Sequence, residues 1–302
     1  MKRYFCILGG IVAFTLSAQA QDTRGIIPVE FAKARPSKGR TTTVRQSLYR
    51  RTSKQPIAAK PDELSQLGLT IWRLRPATTA DPNTRIIVQK DAESVELIPE
   101  RVPANAPLRM GENIRFSFES PQTGYLYVID RELYADGTMG DPVLIFPTTR
   151  TRKGDNKVEA GKLIEIPAQD DRPNYFTLQM SQLRSVNQTG EVLTVIVAPQ
   201  PLAELAIGAK PLSLTKEQVE QWERQWGKQS ETLDLAGGAG KTWTKAEQEA
   251  GASGLRYLTQ DDPAPQTIYR VAAKPGAPLL VKVGLRYGSN RTARRNRTSS
   301  PR

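Results

Sequence analysis

The chain has 302 residues, with 43 Lys and Arg against 31 Asp and Glu, one cysteine and no histidine. The cysteine, Cys6, lies in an N-terminal run built like a secretory signal. An exported chain without it has no residue for Cys–His or Ser–His–Asp catalysis, for a thiolate or imidazole metal site, or for a disulfide.

Lys2 and Arg3 form a basic start, Tyr4 to Leu16 an apolar stretch, and Ala18-Gln19-Ala20 a small-x-small cleavage pattern. This predicts a signal peptide over 1–20 and an exported, periplasmic or extracellular chain beginning near Gln21. Cys6 lies far upstream of the cut and cannot be a lipidated first residue. No later run reaches about 18 apolar residues, so no transmembrane segment is expected in the mature chain. Residues 21–60 carry ten Lys and Arg against Asp22 and Glu30, lack hydrophobic periodicity, and read as a basic disordered linker. Residues 288–302 carry five arginines and no acid, and read as a basic disordered tail. The formal charge of +12 therefore sits at the ends, around a slightly acidic body. Such ends suit anionic envelope polymers or lipid headgroups. Nucleic acid is not an expected partner in that compartment.

Residues 61–107 hold three short predicted strands, Leu69–Leu74, Arg85–Val88 and Ser94–Ile98, that precede or join the main domain. Prolines 76, 82, 99, 103 and 107 punctuate them. The main domain spans 108–287. Ile114, Phe116 and Phe118 alternate with Arg115, Ser117 and Glu119, the period of a half-buried strand. Strands are predicted at Gly124–Ile129, Val143–Phe146, Leu163–Ile166 and Tyr175–Met180, with a turn at Asp136-Gly137. Val192–Val197 is apolar almost throughout, as in a strand covered on both faces. Val219, Trp222 and Trp226 then take helical spacing, and a second helix is predicted from Lys245 to about Ala250. Both lie in a helical insertion over 213–252, before closing strands at Thr267–Val271 and Leu279–Leu285. Many short strands with frequent turn signals predict a mainly β fold, a β-sandwich of immunoglobulin-like or related antiparallel sheets.

Two catalytic-looking motifs have simpler explanations. Gly237 to Thr242 resembles a phosphate-binding loop, but Leu235 stands where its first glycine belongs, and Thr244 with Glu247 instead makes a capping box ended by Gly251. Ser213-Leu214-Thr215-Lys216 matches the Ser-x-x-Lys of penicillin-interacting enzymes without their partner motifs, and Thr215 with Gln218 caps a helix over 216–226.

The acids are more promising. Asp130 and Asp136 fall at a strand end and a hairpin loop, and Asp170-Asp171 and Asp261-Asp262 recur as pairs before a proline and a tyrosine-bearing strand. These six are the candidate ligands for a hard cation such as Ca²⁺, although no segment has the fixed spacing of a calcium loop. A pair of them facing across a cleft would serve a polysaccharide hydrolase; acids before strands also simply form turns. Tyr125, Tyr127, Tyr134 and Tyr175, with Trp72, are candidates for a platform stacking on a sugar or peptide, against the alternative that they are core.

Four runs carry a family resemblance: Gly124-Tyr-Leu-Tyr-Val-Ile-Asp130, Asp141-Pro-Val-Leu-Ile-Phe-Pro147, Gly154-Asp-Asn156 and Ala160-Gly-Lys-Leu-Ile-Glu-Ile-Pro167. Together they resemble exported bacterial proteins with the domain of unknown function 4384, over roughly 110–200, and Asp261 to Tyr287 looks like the ending of one exported subfamily. The family has no assigned activity or catalytic residues. Its members fused to kinase-like or caspase-like modules imply sensing or interaction. The leading expectation is a non-catalytic module of the bacterial envelope, without cofactor, that binds a protein, peptide or glycan and reaches anionic surfaces through its basic ends. The alternatives are a carboxylate-based polysaccharide hydrolase and a Ca²⁺-stabilised structural domain.

Overall fold

A computed structural model describes Phe31, Arg35, residues 49–51 and residues 64–288, except 80, 82–84, 91–92, 181–186, 204, 254–255 and 275. The expected signal peptide, most of the expected linker and nearly all of the expected basic tail lie outside the described residues.

The fold is a β-sandwich of a nine-stranded and a seven-stranded sheet. The larger sheet runs β1 (Tyr49–Arg51), β14 (Ser230–Leu235), β15 (Thr267–Ala272), β2 (Leu64–Pro76), β4 (Glu93–Val102), β3 (Ile86–Lys90). The first half of β2 pairs with β15 and the second half with β4. Its other side pairs with β6 (Asn113–Glu119), which is joined in turn by β10 (Leu163–Ile166) and β11 (Phe176–Thr177). The strands between 64 and 102 are thus part of the sandwich, and β2 is a hub of the larger sheet. The smaller sheet runs β13 (Leu212–Ser213), β8 (Val143–Phe146), β7 (Gly124–Tyr134), β12 (Gln188–Ala198), β16 (Leu279–Tyr287), β5 (Pro107–Leu108), with β9 (Lys157–Val158) on β7. Only β5 and β16 pair in parallel among these strands.

Period-2 alternation decides what lies between the sheets. Leu126 and Val128 of β7, Leu193, Val195 and Val197 of β12, and Val281, Val283 and Leu285 of β16 meet Ile114, Phe116 and Phe118 of β6 in the central core. The other face of the smaller sheet is also covered, as the continuous apolar run of β12 requires. Helix α1 (Lys216–Trp226) lays Val219, Trp222 and Trp226 over Tyr127, Ile129, Ile196 and Leu280. Thr215 caps α1 by accepting the Gln218 backbone N–H at 3.2 Å, a contact of about 1 kcal/mol.

Helix α2 (Lys245–Ser253) covers the outer face of the larger sheet and opens with the Thr244–Glu247 capping box. It runs past the expected stop at Gly251. That glycine is inside the helix because it faces Glu165; a Cβ there would lie 2.1 Å from the Glu165 carboxyl group. The expected 213–252 insertion is also interrupted by β14, where Glu231, Leu233 and Leu235 alternate with Thr232 and Asp234. β14 completes the sheet beside β15, so the insertion belongs to the sandwich. Strand β6 is buried on both faces: Arg115, Ser117 and Glu119 are each 5% exposed or less. Its polar face looks solvent-facing in sequence but is covered by α2 and by part of the expected linker.

That part corrects the disordered reading of 21–60 at five described positions. Phe31 packs with Leu233 and Ile268, and Tyr49–Arg51 extend the sheet along β14. Arg35 sends Nε and Nη2 to the two Glu119 carboxylate oxygens at 2.7 and 2.6 Å, and donates also to the carbonyls of Thr259, Asp262 and Pro263. Among the described residues no helix is long and apolar enough to cross a membrane.

Candidate functional site

At one edge of the sandwich the chain crosses between the sheets twice. Helix α1 ends at Trp226, and Gly227 makes a parallel bridge to Leu280 before β14 begins in the other sheet at Ser230. In the opposite direction β15 ends at Ala272 and β16 begins at Leu279. A tight turn lies between, closed by the Ala277 N–H on the Lys274 carbonyl at 3.0 Å, with Gly276 at φ +74° where a side chain would be strained. The Gln122 amide donates to the Val197 and Ala277 carbonyls and ties this turn to β12.

The crossings frame a groove of about 690 Å3, within the roughly 300–1,000 Å3 of small-molecule sites. Val271, Pro278 and Leu279 form its apolar side, and Trp226 lines the helical side. The Trp226 ring is held by stacking on Trp222, with centroids 6.0 Å apart and planes within 10°. Lys228 and Lys274 line the groove, no carboxylate does, and neither lysine has an ion-pair partner among the described residues. In the sequence Trp226 shows only the helical spacing it shares with Val219 and Trp222. The groove joins residues 225–228 to 271–280, segments with no shared local pattern, so only the fold brings them together.

The six candidate metal ligands do not converge. Asp136 accepts the Thr138 N–H and hydroxyl within its hairpin turn. Asp170 and Asp261 are exposed, while their neighbours turn inward. Asp171 accepts the N–H groups of Ala168 and Arg152, and Asp262 accepts the Thr259 N–H and pairs with Arg256 through both oxygens. In both cases the carboxylate closes its loop on the N–H three residues back, as Asp81 does with Thr78. The recurring acid pairs are therefore a loop-closing device. Burial raises the Asp171 carboxyl, and its two backbone donors oppose this. For Asp262 burial pushes upward, but the hydrogen bonds from Arg256 and Thr259 bring it below its ordinary value. Among the described residues, no three acids are arranged to hold a metal ion. Asp170 and Asp261 are exposed and Asp130 Oδ1 is buried without a partner, so the three share no hydrogen bond among the described residues.

Asp130 instead lies with Glu132, its neighbour on β7, and with Glu191 and Tyr287, which no sequence pattern joins to it. It continues the inner face of β7 beyond Leu126 and Val128, as Glu191 continues that of β12 and Tyr287 that of β16. In register, Glu191 lies opposite Glu132 and Leu285. The Tyr287 hydroxyl donates to Glu191. Asp130 Oδ1 is buried without a hydrogen-bond partner. Burial first, then the charges of Glu191 and Glu132, holds Asp130 well above the usual carboxylate range. Burial also raises Glu191, against the hydrogen bond from Tyr287. Pairing register across three strands builds this cluster, and it was legible only once β7, β12 and β16 were known to be neighbours.

The proposed aromatic platform is not on the surface. Tyr127 and Tyr134 are 4% and 3% exposed, and the Tyr127 hydroxyl accepts the Leu202 N–H at 2.9 Å. Tyr125 packs beside Tyr127 under α1. Tyr175 packs against a cluster in which Trp72, hydrogen-bonded to Ser117, lies 6.0 Å from Trp243. Tyr125 and Tyr127 on one side, and Trp72 with Tyr175 on the other, fill the two outer layers, because a strand buried on both faces needs apolar bulk on both. Comparison with protein-family models, curated proteins and solved structures found no match.

Proposed function

We propose that this chain is an exported, non-catalytic binding module of the bacterial cell envelope that takes its ligand in the groove between α1 and the β15–β16 turn. The groove is the observation that carries the reading: it is open, apolar, walled by an oriented tryptophan, and set on two rigid sheets. Export is supported by the pattern Lys2, Arg3, Tyr4–Leu16, Ala18-Gln19-Ala20. Membership among proteins with the domain of unknown function 4384 is supported by the runs at 124–130, 141–147, 154–156 and 160–167. The partner is an envelope protein, peptide or glycan, or a small molecule derived from the envelope, with the basic ends adding attraction to anionic surfaces.

The test is to express the chain with its own leader, sequence the N-terminus, fractionate the cells, and compare the chain with Gln225→Trp. Position 225 is exposed on α1 and lines the groove, so the bulky ring fills it without touching the core. A mature N-terminus at Gln21 and loss of envelope association in the variant are expected. An uncleaved cytoplasmic chain would overturn export, and unchanged association would overturn the groove. Tethering by the ends is tested by replacing Arg291, Arg294, Arg295 and Arg297 with Gln. Deletion of 21–60 does not isolate charge, because it also removes Phe31 and Arg35 from the body.

A further inference from the structure

We infer that the groove selects a single-chain anionic amphiphile, an unbranched or aromatic apolar body ending in a carboxylate or a comparable anion; this rests on the binding role proposed above. The apolar part is set by Val271, Pro278, Leu279 and the face of Trp226; Gln225 is the one side-chain hydrogen-bond acceptor among the lining residues, too little for an alcohol-rich ligand such as a glycan. The charged part is set by position. Lys228 stands two residues beyond the end of α1, and Lys274 opens the turn that begins the opposite crossing, so the two ammonium groups belong to the two chain segments that frame the cavity.

Among the described residues Lys153, Lys157, Lys210 and Lys241 also have no ion-pair partner, but only Lys228 and Lys274 line the groove, and other lysines meet acids. Lys216 pairs with Asp141 at 2.8 Å, Lys162 with Glu159 at 2.9 Å and Lys282 with Glu223 at 2.5 Å. Lys282 and Glu223 lie on β16 and α1, the elements that also wall the groove, yet their charges are satisfied by each other. Lys228 and Lys274 are left as an uncompensated pair beside an apolar cleft. A cationic headgroup would add a third positive charge there, whereas an anion closes the set. The shape favours a monomer over a bilayer: a concave groove admits one chain, while a membrane surface meets convex, basic and apolar protrusions.

The experiment uses the full chain and decanoate, below its micelle concentration, followed by titration calorimetry. Decanol and decyltrimethylammonium serve as neutral and cationic matches, and phosphatidylglycerol vesicles as the bilayer arm. Saturable one-to-one binding of decanoate is expected, stronger than that of decanol, with no binding of the cation. The double variant Lys228→Gln/Lys274→Gln should weaken decanoate by roughly five- to tenfold, the combined effect of two exposed charge contacts, and leave decanol unchanged. Gln225→Trp should abolish both while the melting temperature stays within a few degrees of the parent, which separates blockage from misfolding. Equal affinity for the three headgroups, or an unchanged decanoate affinity in the double variant, overturns the anionic selectivity. Binding to vesicles without binding to monomeric decanoate overturns it in favour of a membrane surface. If decanoate does not bind but Gln225→Trp still loses envelope association, the ligand class falls and the binding role stands.

Discussion

The two sheets bury carboxylates in opposite ways. On the outer face of the larger sheet each buried acid meets an arginine: Glu165 meets Arg115 at 3.0 Å, Glu231 meets Arg270 at 3.1 Å, Glu119 meets Arg35 at 2.6 Å, and Glu247 meets Arg101. The arginines also lie over tryptophans, Arg101 above Trp72 and Arg115 above Trp243. On the inner face of the smaller sheet Asp130, Glu132 and Glu191 meet one another and a tyrosine. The first arrangement holds a helix and an N-terminal segment in place by matched charge. The second gathers like charge at the end of a hydrophobic core, where it lowers stability whenever it is ionised. A chain keeps the first for packing; the second is a standing cost tied to pH.

The largest expected effect is on the matched side. Glu165 and Arg115 are almost wholly buried, and Gln169 and the Pro167 carbonyl complete the network. Glu165→Ala leaves Arg115 charged and unpartnered in the interior, with an expected loss of about 3–5 kcal/mol in unfolding free energy by urea denaturation. Glu165→Leu with Arg115→Met should recover most of that loss, because the penalty belongs to the widowed charge rather than to the pair. Equal destabilisation by the single and double variants would show that the pair is held for its own favourable energy.

The next effect is smaller and has the reverse sign of what helix propensity dictates. An exposed mid-helix Gly→Ala change stabilises by roughly 1 kcal/mol. In Gly251→Ala the new methyl would meet the Glu165 carboxyl at 2.1 Å, so α2 must lift or the Arg115–Glu165 pair must shift, and overpacking costs of about 1–3 kcal/mol apply. The net expectation is a destabilised protein, read as a lowered urea midpoint. A stabilised Gly251→Ala would mean that α2 moves away from β10 without cost, and that the ion pairs do not hold it.

The same contrast marks how far the sequence could be read. The alternation at 113–119, the apolar run of β12, and the Val219–Trp222–Trp226 spacing gave strands and a helix because each pattern is local and its period is set by backbone geometry. The two capping boxes were equally local. β14 was missed because its sequence, Ser-Glu-Thr-Leu-Asp-Leu, has only two large apolar residues and follows a helix directly. The polar face of β6 looked wet because matched Arg–Glu pairs across 50 residues, such as Arg115 and Glu165, leave no signal in either segment alone. The same holds for Phe31 and Arg35, whose receiving site is built from residues 68, 119 and 259–268. The groove and the Asp130 cluster are products of register and of chain crossings, which are settled only by the whole fold.

The final prediction concerns the unmatched side, and its size depends on pH. An isolated aspartate ionises near 3.9 in the unfolded chain. In the folded protein Asp130 is raised by burial and by Glu191 and Glu132, so the folded state holds a proton that the unfolded state has lost. Stability from this group therefore falls as pH climbs from about 3.9 through the folded value, and the penalty is complete above it. Asp130→Asn removes the charge without removing the shape. Its urea midpoint should exceed that of the parent at pH 8, and the difference should shrink to nothing near pH 3.5, where the parent is protonated as well. Part of the slope should survive in the variant, because Glu191 is raised in the same direction. A midpoint difference that is constant across this range would mean that residue 130 acts through packing alone. A parent that is more stable than Asp130→Asn at pH 8 would mean that the ionised carboxylate is satisfied at this end of the core, and the distinction between the two sheets would then disappear.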